Sequence, residues 1–163
     1  MGSWKWSGSS AEARTRIVAE FHRVLGIDYG SRRIGISQSD PLGIIAQPRT
    51  TLNNDRGLWE ELRAIVRTEN VRLIVVGMPL NLKGQMAQKA EEVRGFIERL
   101  KEETGVEVVG WDERFTTSLA RRTLIEMGTK KKDRRSNKQN IDAMAASLIL
   151  QSFLDSTKNS LSC

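Results

Sequence analysis

Short apolar runs alternate with longer amphipathic segments from Phe21 onward. Three runs near the start have the period of two that is typical of strands, and turn residues separate them. These predicted strands are His22–Asp28, Arg33–Ser39 and Ile44–Leu52. Because the connections between them are short, the three strands are expected to form an antiparallel meander.

The rest of the chain alternates between helical and strand patterns. Helices are predicted at Asp55–Thr68, Gln85–Glu103 and Gln139–Asp155, and another is capped by Thr116 or Thr117 and ended by Gly128. The two further predicted strands are Arg72–Val76 and Val106–Trp111. Together these elements predict an α/β fold in which a mixed five-stranded sheet carries helices on both faces.

One domain suits a chain of 163 residues, of which 39% are hydrophobic, and we expect it to span residues 21–155. Residues 1–20 lack the apolar core of a secretory signal and are expected to be a disordered or added tail. Trp4 and Trp6 in that tail could instead anchor a partner. The serine-rich residues 156–163 are expected to be a C-terminal tail.

The formal net charge of +6 and the pI near 9.8 favour a polyanionic partner, with nucleic acid first among the candidates. The only cysteine, Cys163, excludes an intramolecular disulfide and a cysteine zinc cluster. No apolar stretch approaches the roughly 18 residues of a membrane helix, so no membrane partner is expected. A reducing, cytoplasmic location fits these features.

Asp28 and Asp142 both occur on faces that are otherwise apolar. Asp28 ends the first predicted strand, on the face of Val24 and Gly26, and is either a site residue or the start of a turn. Asp142 heads an apolar helical stripe, where it either faces a site or complements the helix dipole. That stripe consists of Ala145, Ala146, Ile149, Leu150 and Phe153.

A third acid follows the fifth predicted strand, where Asp112 and Glu113 are adjacent. Adjacent strand residues face opposite ways, so the local pattern does not choose between the two, and both could be solvated turn residues. Acids at these strand ends and at the start of the last helix can converge in a mixed sheet. Carboxylates suit a hard cation such as Mg²⁺, whereas a lone histidine, His22, is expected to be structural. A two-metal carboxylate site would hydrolyse phosphodiesters.

Two basic segments favour nucleic acid as the substrate. The segment 130–138 is predicted to be a loop that directly precedes the helix of Asp142, so its cations either contact a phosphate backbone or form a solvated loop. The loop 77–84 joins a strand to a helix and places Lys83 near the helix start, where a phosphate could bind. It lacks the Gly-Lys-Ser/Thr ending of a nucleotide P-loop.

Several segments together resemble the YqgF (RuvX) family of ribonuclease H-like proteins, which is linked to pre-16S rRNA processing and to Holliday junction resolution. The similarity spans about Val24 to Asp155. It rests on Leu25–Gly35, on Val76–Asn81 with Gly84, on Asp112–Thr117, and on Asp142 with Ala145–Ala146 and Ile149–Gln151. The N-terminal extension and the C-terminal tail depart from the family pattern.

The resemblance implies a ribonuclease H-like fold with Asp28, Glu113 and Asp142 as the catalytic, metal-binding triad, and with Mg²⁺ or Mn²⁺ as the cofactor. Asp112 then becomes a neighbour of the site. The residues expected to bind nucleic acid are Arg32, Lys83, Arg114, Lys130, Lys131, Lys132, Arg134, Arg135 and Lys138. The expected partner is precursor rRNA, with branched DNA and ribosome-assembly particles as further possibilities, and the chain is expected to be a monomer or a homodimer.

The leading functional hypothesis is therefore an endonuclease that processes the 5′ end of pre-16S rRNA in ribosome biogenesis. A resolvase of four-way DNA junctions and a non-catalytic RNA-binding assembly factor are the alternatives. An actin-like ATPase is a related idea, because Asp28–Gly30 resembles the start of a phosphate loop, but the chain is too short for the second subdomain of that fold.

Overall fold

The structure is a computed structural model that describes residues 22–79, 85–113 and 134–161. Within these ranges the strands are β1 (Arg23–Tyr29), β2 (Arg33–Ser39), β3 (Ala46–Asn53), β4 (Val71–Met78) and β5 (Glu107–Asp112). The helices are α1 (Leu58–Thr68), α2 (Gln85–Thr104) and α3 (Arg134–Leu161). The helix predicted between Thr116 and Gly128 lies outside the described residues.

The five strands form one mixed sheet in the order β3-β2-β1-β4-β5. The first three strands pair antiparallel, which confirms the predicted meander. The crossover connections then add β4 and β5 parallel to β1. The carboxyl ends of β1, β4 and β5 consequently lie at the same edge of the sheet.

Helices cover both faces of this sheet, as predicted. Leu25 and Ile27 of β1 belong to an apolar cluster with the buried residues of α1 and α2. Val24 belongs to a second cluster, on the other face, with Ile149 and Leu150 of α3. The alternation along β1 therefore assigns one face to α1 and α2 and the other, which also carries Asp28, to α3. No helix among the described ranges is long and apolar enough to span a membrane.

The last helix is longer than its sequence pattern predicts. It begins at Arg134 instead of Gln139 and ends at Leu161 instead of Asp155, so both predicted limits are wrong. Thr157 in the added part is only 5% exposed, and its hydroxyl donates to the carbonyl of Leu154 at 2.6 Å. Packing against the sheet thus maintains helix in a segment whose polar composition favours a tail.

The turn between β2 and β3 is organised by Asp40, as its sequence pattern predicts. The Oδ1 atom of Asp40 accepts hydrogen bonds from the backbone amides of Ile44 at 2.6 Å and Ile45 at 2.8 Å. Partial burial raises the pKa of Asp40, but these and further amide hydrogen bonds outweigh that effect and lower the pKa below its usual 3.8.

The lowered pKa predicts a pH-dependent contribution of Asp40 to stability. The carboxylate stabilises the fold above its unfolded pKa, near 3.8, and this contribution is lost as the pH falls through the lower folded pKa. Asp40→Asn is therefore expected to lower the free energy of unfolding at neutral pH and to have little effect below the folded pKa. Urea unfolding of both proteins at the two pH values measures this, and an equal loss at both would contradict it.

Gly95 lies in the middle of α2, and a Cβ atom added there would meet no atom within 4 Å. Alanine is favoured over glycine by about 1 kcal/mol in a helix interior. Gly95→Ala is therefore expected to raise the melting temperature by about 2–4 °C. Thermal unfolding followed by circular dichroism tests this, and a lowered melting temperature would show that the added methyl group meets an obstacle.

Candidate active site

Asp28 and Glu113 lie at the shared edge of the sheet where the parallel strands end. Ile27 pairs with Val76, so Asp28 and Gly77 occupy the next positions along β1 and β4. Gly77 in turn pairs with Trp111 of β5. The three strands thus align Asp28, Gly77 and the end of β5 in one row across the sheet.

Glu113 shares the face of Asp28, whereas Asp112 does not. Val109 and Trp111 belong to the apolar cluster on the α3 face, and the period of two continues that face to Glu113. Asp112 points the other way and is only 4% exposed. A Cβ atom placed on Gly77 would lie 3.1 Å from Oε1 of Glu113 and 3.3 Å from its Cγ. The side chain of Glu113 therefore extends over Gly77, from β5 toward β1.

Asp142 approaches the same face from the helix above it. Gly35 pairs with Asp28, and a Cβ atom placed on Gly35 would lie 2.0 Å from the backbone oxygen of Asp142. The first half of α3 therefore contacts β2 directly beside Asp28. The Oδ2 atom of Asp142 accepts a hydrogen bond from Nε of Arg33 at 2.8 Å. This ion pair is partly exposed, with 37% of the Arg33 side chain and 27% of the Asp142 side chain accessible.

The three acids share one face and one end of the sheet, but the described residues form no group of three His, Cys, Asp or Glu side chains close enough to hold a metal ion. Their donor chemistry nevertheless suits a hard cation, because every candidate ligand atom is a carboxylate oxygen. The lack of a side chain at Gly77 accommodates the Glu113 side chain, and the lack of one at Gly35 lets the backbone of α3 approach β2 at Asp142. His22 lies before β1, at the opposite end of that strand, where its Nδ1 is 3.4 Å from Nδ2 of Asn70.

Comparison with known proteins identifies the family. A family model described as RuvX, Holliday junction resolvase, matches residues 22–156 of the chain. The chain belongs to the RuvX family. A protein of Amoebophilus asiaticus named "Putative pre-16S rRNA nuclease" is 44% identical over 137 residues, which cover 83% of this chain and 96% of that protein. A protein of the same name from Sulfurihydrogenibium is 40% identical over 135 residues, covering 82% and 90%.

Solved structures agree with the RuvX assignment at the level of the fold. The structure of Thermus thermophilus RuvC superposes with a TM-score of 0.51 at 15% identity, covering 83% of this chain and 96% of that one. RuvC of the same organism in complex with a Holliday junction substrate gives a TM-score of 0.50 at 16% identity, covering 83% and 95%. The predicted ribonuclease H-like fold is thereby confirmed. The matching family model and the curated relatives, which are named as nucleases, support a hydrolase of the nuclease class.

The structure places only some of the basic residues expected to bind nucleic acid. Arg32 is exposed in the turn after β1, on the side of the candidate acids. The positions 134, 135 and 138 belong to the first turns of α3, so the prediction of a loop is wrong for that part of the basic segment. The others, Lys83, Arg114, Lys130, Lys131 and Lys132, lie outside the described residues.

Two residues at the site of this RuvX-family chain were not predicted to shape it. Arg33 was counted only as part of a motif, yet it binds Asp142 across 109 positions of the sequence. Gly77 was assigned to a possible phosphate-binding loop, yet it lies in β4, directly before the last residue of that strand, and under the Glu113 side chain. A glycine directly after an apolar strand run was the available signal, because a glycine in a strand often marks a close approach of another group.

Gly77→Ala provides a test of the space beneath Glu113. The added methyl group would contact Cγ and Oε1 of Glu113 and the flexible end of Ile149, which lies 2.6 Å away. We expect the carboxylate of Glu113 to be displaced and cleavage to fall by roughly tenfold to a hundredfold, as for other groups that orient metal ligands. The melting temperature should change little, because Ile149 can adopt another rotamer. Unchanged cleavage would show that this glycine does not set the position of Glu113.

Proposed function

We propose that this RuvX-family chain is a metal-dependent endonuclease that processes the 5′ end of pre-16S rRNA in the cytoplasm during ribosome biogenesis. The observation that supports the nuclease site is the arrangement around Asp28: Glu113 extends toward it over Gly77, and Asp142 lies above the residue that pairs with it. The name shared by the curated relatives supports the choice of rRNA.

Asp28, Glu113 and Asp142 would hold Mg²⁺ or Mn²⁺ through their carboxylate oxygens. A divalent cation held there would supply Lewis-acid chemistry for phosphodiester hydrolysis, which activates a water and stabilises the leaving oxygen. Asp28 lies at the end of β1, Glu113 directly follows β5, and Asp142 lies in α3. Because the sheet and α3 are rigidly packed at Gly35, each carboxylate stays on the substrate side of the sheet.

Arg33 holds the Asp142 side chain in place when no cation is bound. The Nε to Oδ2 hydrogen bond of 2.8 Å uses one oxygen of Asp142 and holds its carboxylate beside Arg33, the first residue of β2. The pair is partly exposed, so its net stabilisation is small and a divalent cation can compete for the same oxygen. The guanidinium released from Asp142 would then be available to a substrate phosphate.

The basic residues near this edge would bind the RNA backbone. Arg32 is exposed beside the end of β1, and Arg134, Arg135 and Lys138 belong to the helix that carries Asp142. Contacts of this kind bind phosphates without reading the base sequence. The same role is proposed, from the sequence motifs alone, for the basic residues outside the described ranges. These are Lys83, Arg114, Lys130, Lys131 and Lys132.

The decisive experiment compares cleavage of a precursor of 16S rRNA with and without Mg²⁺ or Mn²⁺. We expect a cut on the 5′ side of the mature sequence that requires the metal and is absent with Asp28→Asn. Mature 16S rRNA serves as the control substrate. If the wild-type protein binds the precursor with no metal-dependent cut, the chain is a non-catalytic RNA-binding assembly factor and the proposal is wrong.

Resolution of four-way DNA junctions is the second candidate, supported by the description of the matching family model. A resolvase makes paired, symmetric nicks, which favours a homodimer with two active sites, whereas rRNA processing can be carried out by a monomer. The same assay with a synthetic four-way junction distinguishes the two. Symmetric nicks on the junction and no cut in the rRNA precursor would favour the resolvase.

A further inference from the structure

A cavity of about 560 Å³ lies on the face of the sheet opposite the candidate acids. It extends to the same edge of the sheet, because Tyr29, which lines it, directly follows Asp28 at the end of β1. The alternation along β1 directs Tyr29 toward α1 and α2, whereas Asp28 is directed toward α3. The cavity and the acids are therefore on opposite faces of the sheet, although Tyr29 and Asp28 are adjacent in the sequence.

Aromatic rings and arginines make up much of the cavity wall. Trp59 of α1 and Tyr29 both pack on Phe96 of α2, with ring centroids 5.5 Å and 4.9 Å apart. The guanidinium carbon of Arg99 lies over the ring of Trp59, 4.5 Å from its centroid. Arg56, which is exposed, contributes a second cation just before α1. Nucleobases stack on aromatic rings and on guanidinium planes, and arginines bind phosphates.

Nε of Arg99 lies 3.6 Å from Oε1 of Glu103, which does not line the cavity, and this pair helps to hold the guanidinium over Trp59. Oδ1 of Asp55 accepts a hydrogen bond from the backbone amide of Gly57 at 2.9 Å, so Asp55 serves the start of α1. Glu92 is exposed at the wall formed by α2 and offers acceptors for a sugar hydroxyl or a base amino group. The lining thus combines stacking surface, cations and an acceptor, which is the chemistry of a nucleotide site.

The cavity is connected to the turn beside the candidate acids. Nδ2 of Asn54, another lining residue, donates to the carbonyl of Gly30 at 3.0 Å. The backbone amide of Asn54 donates to the carbonyl of Arg32 at 2.9 Å. The turn that follows Asp28 is therefore held against the mouth of the cavity.

Gly95 keeps one wall of the cavity open. It lines the cavity from the middle of α2, and a Cβ atom added there would meet nothing within 4 Å. A glycine weakens a helix interior, and here the space that it leaves belongs to the cavity.

We infer that this cavity binds one nucleotide of a single-stranded segment adjacent to the phosphodiester that is cut, with its base stacked among Tyr29, Trp59 and Arg99. Arg56 contacts a phosphate of that nucleotide. The inference rests on the proposed nuclease function and adds to it a requirement for single-stranded substrate near the cut, since the faces of a base inside a duplex are covered by its neighbours and cannot stack on protein side chains.

The test uses variants at Gly95, because substitution there closes the cavity without removing any packing. Gly95→Leu would place a side chain in the cavity, and Gly95→Ala is the matched control that leaves most of it open. The probe is a short fluorescein-labelled single-stranded RNA, whose binding is followed by anisotropy in EDTA so that no cleavage occurs. A set of strands that each lack one base in turn, with every phosphate retained, locates the stacked nucleotide.

We expect one abasic position to weaken binding by the wild-type protein and by Gly95→Ala roughly tenfold. Gly95→Leu should bind the intact strand about that much more weakly and lose nothing further at the abasic position. Arg56→Glu should weaken binding and reduce its salt dependence more than Arg67→Glu, which places the same charge change at the far end of α1. Thermal unfolding of each variant confirms that the fold is intact.

Several results would overturn the inference. If Gly95→Leu binds every RNA strand as tightly as Gly95→Ala does, the cavity holds no base. The proposed nuclease function would still stand in that case if both variants show metal-dependent cleavage. If adenosine monophosphate displaces the strand and binds more tightly than it, the occupant is a free nucleotide. If the wild-type protein neither binds nor cuts any nucleic acid, the proposed function fails together with the inference.

Discussion

Asp28→Asn is expected to lower phosphodiester cleavage by roughly a hundredfold or more and to leave the fold intact. Asp28 is half-buried at the end of β1, on the face that α3 covers, beside Gly77 and opposite Gly35. The amide has the shape of the carboxylate but lacks its charge. A bound metal contributes several kcal/mol of transition-state stabilisation, so the loss of one anionic ligand has a large effect on rate.

The assay measures initial rates at saturating Mn²⁺, together with Mn²⁺ affinity by calorimetry and RNA affinity in EDTA. We expect Mn²⁺ affinity to fall and RNA affinity to change little. Asp155→Asn is the matched control, because Asp155 lies on α3 about 20 Å along the helix from Asp142 and accepts a hydrogen bond from Gln151. Equal rates for wild type and Asp28→Asn would remove Asp28 from the catalytic site.

Glu113→Gln and Asp112→Asn extend this comparison to the middle acid. Glu113 extends over Gly77 on the face of Asp28, and its amide variant should show the same loss of rate and of Mn²⁺ affinity. Asp112 is buried on the opposite face, so Asp112→Asn should lower the melting temperature and leave Mn²⁺ affinity unchanged. The reverse pattern would exchange their roles.

Gly35→Ala is expected to cause the largest loss of stability among these substitutions. Its methyl carbon would lie 2.0 Å from the backbone oxygen of Asp142 and 2.4 Å from the carbonyl carbon. These are main-chain atoms of α3, so a change of rotamer cannot relieve the contact and the helix has to move. Overpacking of this kind costs about 3 kcal/mol, which corresponds to a melting temperature roughly 10 °C lower.

Displacement of α3 would also move Asp142 away from Asp28, so Gly35→Ala should lose activity even at temperatures where it is folded. Thermal unfolding and cleavage rates measure the two effects on the same samples. Gly95→Ala is the matched control, since it adds the same methyl group where nothing lies within 4 Å. A melting temperature close to that of the wild type would show that α3 does not contact β2 at Gly35.

Most of the architecture followed from local patterns. The period of two in residues 22–28 correctly separated the face of Asp28 from that of Leu25 and Ile27. Turn residues and apolar stripes placed every described strand and helix within a few positions of its observed limits, except for α3. The polar residues at both ends of α3 were interpreted as a loop and a tail. A polar composition indicates exposure to water, but it does not show whether packing against the sheet extends the helix.

The candidate site was harder to predict from the sequence, because its acids come from separate parts of the chain. The sequence alone placed Asp28 at the end of an apolar strand and Asp142 at the head of an apolar helical stripe, and the family motifs singled out Glu113. That Glu113 shares a face with Asp28 depends on the register in which β4 pairs with β1 and β5 pairs with β4. That Asp142 lies above Gly35 and binds Arg33 depends on a contact across 109 positions. Periodicity reports which faces are buried, whereas only the tertiary structure decides which element buries them and therefore which acids meet.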